Sequence, residues 1–393
     1  MTKLMNTALF KVIRRETGRI ADSWVLIFTT LIAPAAAFLV IIWLFSNGVV
    51  RDLPVAVVDM DHTAFSSKIS SLVDATPVCK VMYRPGSAYE ARRMMSAGKI
   101  DAIIVLPADL ERKVLNSSAP AIAVYINNTN VVKGGALKSG LYKTLAAVSA
   151  GVKVQVAVRK GKTPAQAIES ARPVSLDIHL LFNPFGNYAY FLVLGLLPLL
   201  AVVFIFLGSV YALGMELKEG TAGELIALAK NNVVVALAGK MLPYTILFFM
   251  NMMIMNILLM KTLGTPVHGS LVLILISEVL LIISYQLLAI LFLKITANLR
   301  LSLSLGSAYT MMALTFSGLT FPAMAMPLLA KMFSLIFPYT FWLQIFMSQT
   351  LRGEPVSEVV IPFLAFVPFI LGGLLAFPGM KRKLSHPRYW FRE

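Results

Sequence analysis

A single cysteine, Cys79, occurs in 393 residues, together with only four histidines. One thiol excludes an intrachain disulfide, and no Cys/His cluster has zinc spacing. Charge is also scarce: 14% of residues are charged, and 19 acids face 35 bases. A soluble domain carries about a quarter charged residues. No G-x-x-x-x-G-K-[ST] phosphate loop is present, since the Gly-Lys pairs at Gly98 and Gly239 lack both the upstream glycine and the following Ser/Thr. No Ser/His/Asp or paired-carboxylate constellation stands out as catalytic. The basic excess could suggest nucleic acid, but the lysines and arginines gather beside apolar runs and over the middle of the chain rather than in one stripe. Lipid-facing positive charge explains them better, so no nucleic-acid partner is expected.

What the chain has in abundance is apolar length. Hydrophobic residues make up 58% and the mean hydropathy is +0.78. Crossing a bilayer takes about 20 apolar residues, and six runs qualify: 25–45, 190–214, 235–260, 271–295, 301–321 and 359–377. The first lacks a small-residue cleavage site, so it reads as a retained anchor. A seventh apolar stretch, 324–349, is interrupted by Pro327 and Pro338. It reads as two short helices dipping into the outer leaflet and packing on protein. The fold class is therefore an α-helical polytopic membrane protein of six transmembrane helices with an inserted α/β extracytoplasmic domain.

Lys3, Lys11, Arg14, Arg15 and Arg19 precede the first span, and Lys381, Arg382, Lys383, Arg388 and Arg392 follow the last. Lys294 and Arg300 flank the loop between the fourth and fifth. Six spans put these segments on one side, which positive charge makes cytoplasmic, with both termini inside. The expected division is a cytoplasmic segment at 1–24, a first span at 25–47 and an extracytoplasmic domain at 48–187. The remaining spans occupy 188–378, with a cytoplasmic loop at 215–232 and an outer re-entrant segment at 322–350, and a basic cytoplasmic tail covers 379–393. Residues 3–19 space Leu4, Leu9, Val12 and Ile13 among bases, as an interfacial amphipathic helix does. The hydrophilic start of span one is the plainer alternative. Lys240 and Lys261 lie near span ends, where their stems can reach the interface.

Between the first two spans, LPVAVVDMD, KVMYR, IDAIIVLP and AIAVYINNTN read as strands alternating with short helices, the pattern of a small α/β layer. Two helices, 131–161 and 164–171, lead back to the membrane. Asp59, Asp61 and His62 at the end of the first strand read as turn and capping residues rather than metal ligands.

The segment MELKEGTAGEL follows one of the most apolar runs yet carries three glutamates, a lysine and two glycines. A helix over 216–228 with acids in its first turns is favoured by the helix dipole, and Gly220 and Gly223 allow a bend. Such an element suits docking into a partner's groove, while on charge alone a solvated connecting loop is the default reading. Glu278 is the one acid well inside a span, where burial costs several kcal/mol unless it is protonated or paired. Substrate or proton handling and a hydrogen bond to a neighbouring helix are its two readings.

MELKEGTAGELIAL followed by GKMLPY resembles the cytoplasmic loop of the ABC-2 family of ABC-transporter permeases. SGLTFPAMAMPLLAKMFSLIFPYTFWLQ resembles that family's outer signature, and VAVVDMD with GKIDAIIVLPADLERKV its exporters with a large outer domain. The resemblance implies a bacterial inner-membrane exporter permease, not an enzyme, with ATP and Mg on a separate ABC ATPase subunit and no cofactor on this chain. It implies coupling to that ATPase through Glu216, Glu219, Gly220, Thr221 and Glu224. It makes Ser317, Gly318, Phe321, Pro322, Met326, Pro327 and Pro338, with Met324 and Phe337, candidates for an outer gate; ordinary helix packing accounts equally well for any one of them. The implied partners are a second permease copy or a homologous permease, membrane lipids, and a periplasmic adaptor leading to an outer-membrane channel. An amphipathic or apolar cargo fits the methionine-rich spans. A membrane-anchored sensor or assembly factor, its outer domain binding a ligand, is the rival class.

Overall fold

The structure, a computed structural model, describes residues 2–46, 48–116, 118, 120–171, 181–183 and 187–391. It divides into two compact units, Met1–Gly48 with Leu180–Glu393, and Val49–His179.

The chain begins with α1 (Thr2–Asp22), which buries Ala8 and Val12 on one face and leaves Phe10 exposed. Ser23 ends it and caps α2 (Trp24–Ile27) by accepting from the Leu26 amide. A π-helical turn, Phe28–Ile32, joins α2 to α3 (Ala33–Leu44), so that Trp24–Leu44 forms one apolar segment. Its 21 residues rise about 30 Å, the thickness of the hydrocarbon core.

The unit Val49–His179 is built on β1 (Leu53–Asp59), α4 (Ala64–Asp74), β2 (Cys79–Tyr83), α5 (Ala88–Ser96), β3 (Ala102–Leu106), α6 (Leu110–Leu115) and β4 (Ala123–Ile126). The sheet order is β2-β1-β3-β4, parallel but for β4. Alternation along β1 sends Leu53, Val55 and Val57 to one face and Ala56 and Val58 to the other. The first face packs on Ile69 and Val73 of α4 and on Leu137 and Leu141 of α7 (Val131–Arg159); the second packs on Ala91 of α5. A short α8 (Pro164–Ala171) follows. Both faces are covered, as parallel strands require. Cys79 is buried, which pushes its thiol up to about 11.

At the end of β1 the Asp59 carboxylate accepts from the amides of Asp61 and His62 and from the Ser66 hydroxyl. Burial pushes Asp59 upward, but these donors outweigh it and hold the carboxyl below its usual range. Asp61 accepts from the Thr63 hydroxyl and the Glu111 amide. The aspartates thus tie turns together, and no metal-binding cluster occurs among the described residues.

The second membrane segment is α9 (Tyr188–Lys218), followed by α10 (Ala222–Leu228), α11 (Val233–Thr262), α12 (Leu271–Thr296) and α13 (Leu299–Phe316). Asn187, Asn232, Ser270 and Asn298 each cap the helix they precede with a side-chain oxygen. Then come α14 (Leu328–Ser334), α15 (Pro338–Met347), α16 (Val356–Leu364), α17 (Phe366–Leu374) and α18 (Phe377–Ser385). Among the described residues five helical segments are long and apolar enough to cross a membrane, or six if the pair α14 and α15, bent by 87°, is one broken span.

The expected span 301–321 is carried by α13 and ends five residues early. The helix stops at Phe316, and Arg300 with the hydroxyl residues of its first turns leaves α13 short of the other spans in apolar character. It nonetheless packs closely along α9, where Gly306 meets the Phe206 ring.

Candidate functional site

The densest chemistry lies where α1 meets the ends of α9 and α11. Gly239 sits against Val12, and a Cβ there would lie 2.8 Å from Val12 Cγ1. The missing side chain lets α1 and α11 approach closely, and Lys240, the next residue, points into the contact. Its ammonium donates to both oxygens of Glu16, each at 2.7 Å, and to Glu216 Oε1 at 2.9 Å. The Tyr244 hydroxyl, one turn further on, donates to Glu16 at 2.6 Å. Lys240, Glu16 and Glu216 are all fully buried.

Two arginines complete the cluster. Arg15 makes a bidentate pair with Glu216, at 2.8 and 3.1 Å. Arg19 reaches Glu216 at 3.1 Å, Thr221 at 3.0 Å and Glu219 at 2.6 Å. The Thr221 hydroxyl donates to Glu216 at 2.6 Å. Burial pulls Arg15 down, but the hydrogen bonds and charge of Glu216 outweigh it and raise its pKa. Glu216 lies in the last turn of α9, where the helix dipole disfavours a carboxylate; three cations hold it there.

This arrangement corrects two sequence readings. Residues 216–228 are not one surface helix: Gly220, at φ +72°, separates α9 from α10. Glu216 and Thr221 face inward, so their polar groups are spent within the chain. Lys240 does not reach an interface; it is buried in an ion triad, whereas Lys261 is exposed. Of the five residues in the loop, Glu219 and Glu224 remain accessible, with side chains 42% and 71% exposed. Glu224 sits in the first turn of α10 and touches Arg15 at a loose 3.5 Å.

The chain's last described residues cover the same turn. The Phe391 amide donates to the Leu217 carbonyl, one of the free acceptors at the end of α9. The Phe391 ring lies against Gly220 and the Trp390 ring against Gly223, where a Cβ would be 2.8 Å from Trp390 Cη2.

At the opposite end of α13 the gate candidates divide. Ser317 caps α13 and is buried, and Gly318 turns the chain at φ +92°. Phe321 is half-exposed and Met324 is 91% exposed, whereas Met326 is buried. Pro322 precedes a short 3-10 turn, Pro327 precedes α14, and Pro338 opens α15 at the position that needs no donor. Phe337 is fully buried, 5.1 Å from the Tyr309 ring and 5.4 Å from Phe333. Tyr309 continues the contact to Phe206 and Phe292. Glu278, buried in α12, accepts from Asn256 of α11 at 2.8 Å, the neighbouring-helix bond that was one of its two readings. Its second oxygen has no partner among the described residues.

Sequence reasoning missed Glu16, Tyr244 and Tyr309. A lone acid inside KVIRRETGR was the available signal for the first. A third Gly-Lys pair, Gly161–Lys162, precedes Thr163 but has Val156 where a phosphate loop needs glycine.

Comparison with known proteins gives one family match and two relatives. A family profile described as "ABC-2 family transporter protein" matches residues 24–377. The probable multidrug ABC transporter permease YbhS of Escherichia coli (strain K12) is 23% identical over 304 residues, covering 74% of this chain and 75% of that protein. The protein of the same name from Escherichia coli O157:H7 matches to the same extent.

Proposed function

Because the chain belongs to the ABC-2 family of transporter proteins, we propose that it is the permease subunit of an ATP-driven exporter in a bacterial inner membrane. It moves an amphipathic or apolar substrate outward, and the relative named a probable multidrug permease supports that class of cargo. ATP and Mg bind a separate ABC ATPase subunit, because this chain has no phosphate loop. The basic flanks of the spans put both termini and the α9–α10 turn on the cytoplasmic side, and the unit Val49–His179 outside. There the outer unit meets a periplasmic adaptor and, through it, an outer-membrane channel.

The observation that carries this reading is the inner-end cluster. α10 presents Glu224 outward beside a concave surface lined by Lys11, Arg14, Arg15 and Arg19. A push on α10 is transmitted at once to α1, α9 and α11, because Glu216 is bonded to residues of α1 and α11 and to Thr221. Rigid-body transmission of this kind needs no chemistry on the chain. A second permease covers the apolar faces left open on α3 and α13, where Leu39, Trp43, Leu301 and Leu305 are exposed. The outer ends, around Phe321 and Met324, form the gate of the path between the two copies.

Co-purification with the ABC ATPase and measurement of ATP hydrolysis in proteoliposomes test the reading. Glu224→Gln is the informative variant, since reversing either acid sets two cations against each other, at Arg15 for Glu224 and at Arg19 for Glu219. The expected result is an intact permease that loses ATPase association and stimulation. Association and stimulation equal to the parent's would remove α10 as the docking element.

A further inference from the structure

The unit Val49–His179 contains a cavity of about 460 Å³ that the transport reading does not use. Its size lies within the range of small-ligand sites, roughly 300–1,000 Å³. The cause is visible in α7. This helix has 29 residues, a rise of about 43 Å. The strands beside it have four to seven residues and span about 13–23 Å.

Leu137 and Leu141, in the first half of α7, are buried in the domain core. The same stripe continues through Leu145, Val148, Val152 and Val156 at helical spacing. Val152 and Val156 are only half-buried, because the sheet does not reach them. Phe65 and Ile69 of α4 and Leu110 and Val114 of α6 face this stripe across the cavity.

The cavity is apolar inside and positive at one end. Lys153 and Lys160, seven residues apart and thus on one face of the helix end, line it together with Lys162. Among the described residues no acidic side chain lines it and none of the three ammonium groups is ion-paired. The Ser118 and Ser149 hydroxyls complete the polar contribution.

We propose that this cavity is a binding site for an amphipathic anion, a small molecule with an apolar body and one acidic headgroup. The body lies along the stripe from Leu145 to Val156, and the acid meets Lys153, Lys160 and Lys162. A neutral hydrocarbon would leave three cations clustered and unpaired, and a hydrophilic anion would leave the apolar wall wet. The site stands on this unit alone and does not depend on what the spans transport.

The test uses the full chain in nanodiscs of neutral phosphatidylcholine and a palmitic acid analogue carrying a diazirine on its tail. After illumination, peptide mapping is expected to find the label on α4 and α7 peptides lining the cavity. The alcohol and the amine of the same chain length are expected to label them weakly. Replacing all three lysines (K153Q, K160Q and K162Q together) should reduce labelling by about tenfold, the sum of three exposed charge contacts. Val152→Trp, which narrows the cavity at a half-buried position, should weaken it. Equal labelling by the alcohol or amine, or insensitivity to the lysine changes, would overturn the anion. Label found only on the spans, or unchanged by Val152→Trp, would overturn the site. Protection of the cavity peptides by chain self-association, with no acid labelling, would assign the surface to a second copy instead.

Discussion

At the scale of single residues, Lys240 is the most consequential side chain in the membrane unit. It neutralises two carboxylates that no water reaches. Removing one partner from such a buried group typically costs about 3–5 kcal/mol, because the remaining charges stay desolvated. Lys240→Met is therefore expected to lower the thermal midpoint in detergent markedly, and adding Glu16→Gln should recover part of the loss. Equal melting of Lys240→Met and the parent would show that the triad is solvated. The sequence announced none of this pairing. Lys240 near a span end and Glu216 after an apolar run each look interfacial when only their neighbours are considered. Glu16 lies 224 residues from Lys240, and Arg15 lies 201 residues from Glu216. Glu278 was legible, since an acid inside an apolar helix must find a partner, and Asn256 is that partner.

At the scale of elements, the close approach of α1 and α11 rests on a missing side chain at Gly239 and on Val12 and Leu9 opposite it. Gly239→Leu would drive α1 off α11 and pull Glu16 and Arg15 from their partners. The expected outcome is protease access to residues 1–22 with the spans still inserted, read by limited proteolysis in membrane vesicles. Helices whose identity depends on length and composition were readable beforehand: the long spans and the β1–α4–β2–α5–β3 alternation agree with their sequence patterns to within a few residues. What was not readable was where a helix is interrupted. The break at Gly220 comes from a left-handed backbone with Phe391 packed over it, a contact made by the far end of the chain. The early stop of α13 at Phe316 likewise depends on Gly318 and the turn beyond it.

At the scale of the whole molecule, the unit Val49–His179 has cores on both faces of its sheet, so it meets the condition for folding alone. Expressed by itself, it is expected to unfold in one cooperative transition by circular dichroism in urea. Its acid limb should depend on Asp59. That carboxyl lies below its unfolded value, about 3.9, so its contribution is complete above that value and is lost as pH falls through the lower folded one. Asp59→Asn should thus reduce stability at neutral pH and flatten the decline between about pH 4 and the more acidic folded value. A decline as steep as the parent's would assign the acid sensitivity elsewhere. The ion triad, finally, sets a clock for biogenesis. Glu16 is synthesised 224 residues before Lys240, an interval of about 11–45 s at translation rates of roughly 5–20 residues per second. Throughout that interval Glu16 lacks the ammonium group that it pairs with in the folded protein. Closure of the ion cluster is therefore a late event in assembly, and it can occur only in chains whose third apolar span has begun to emerge.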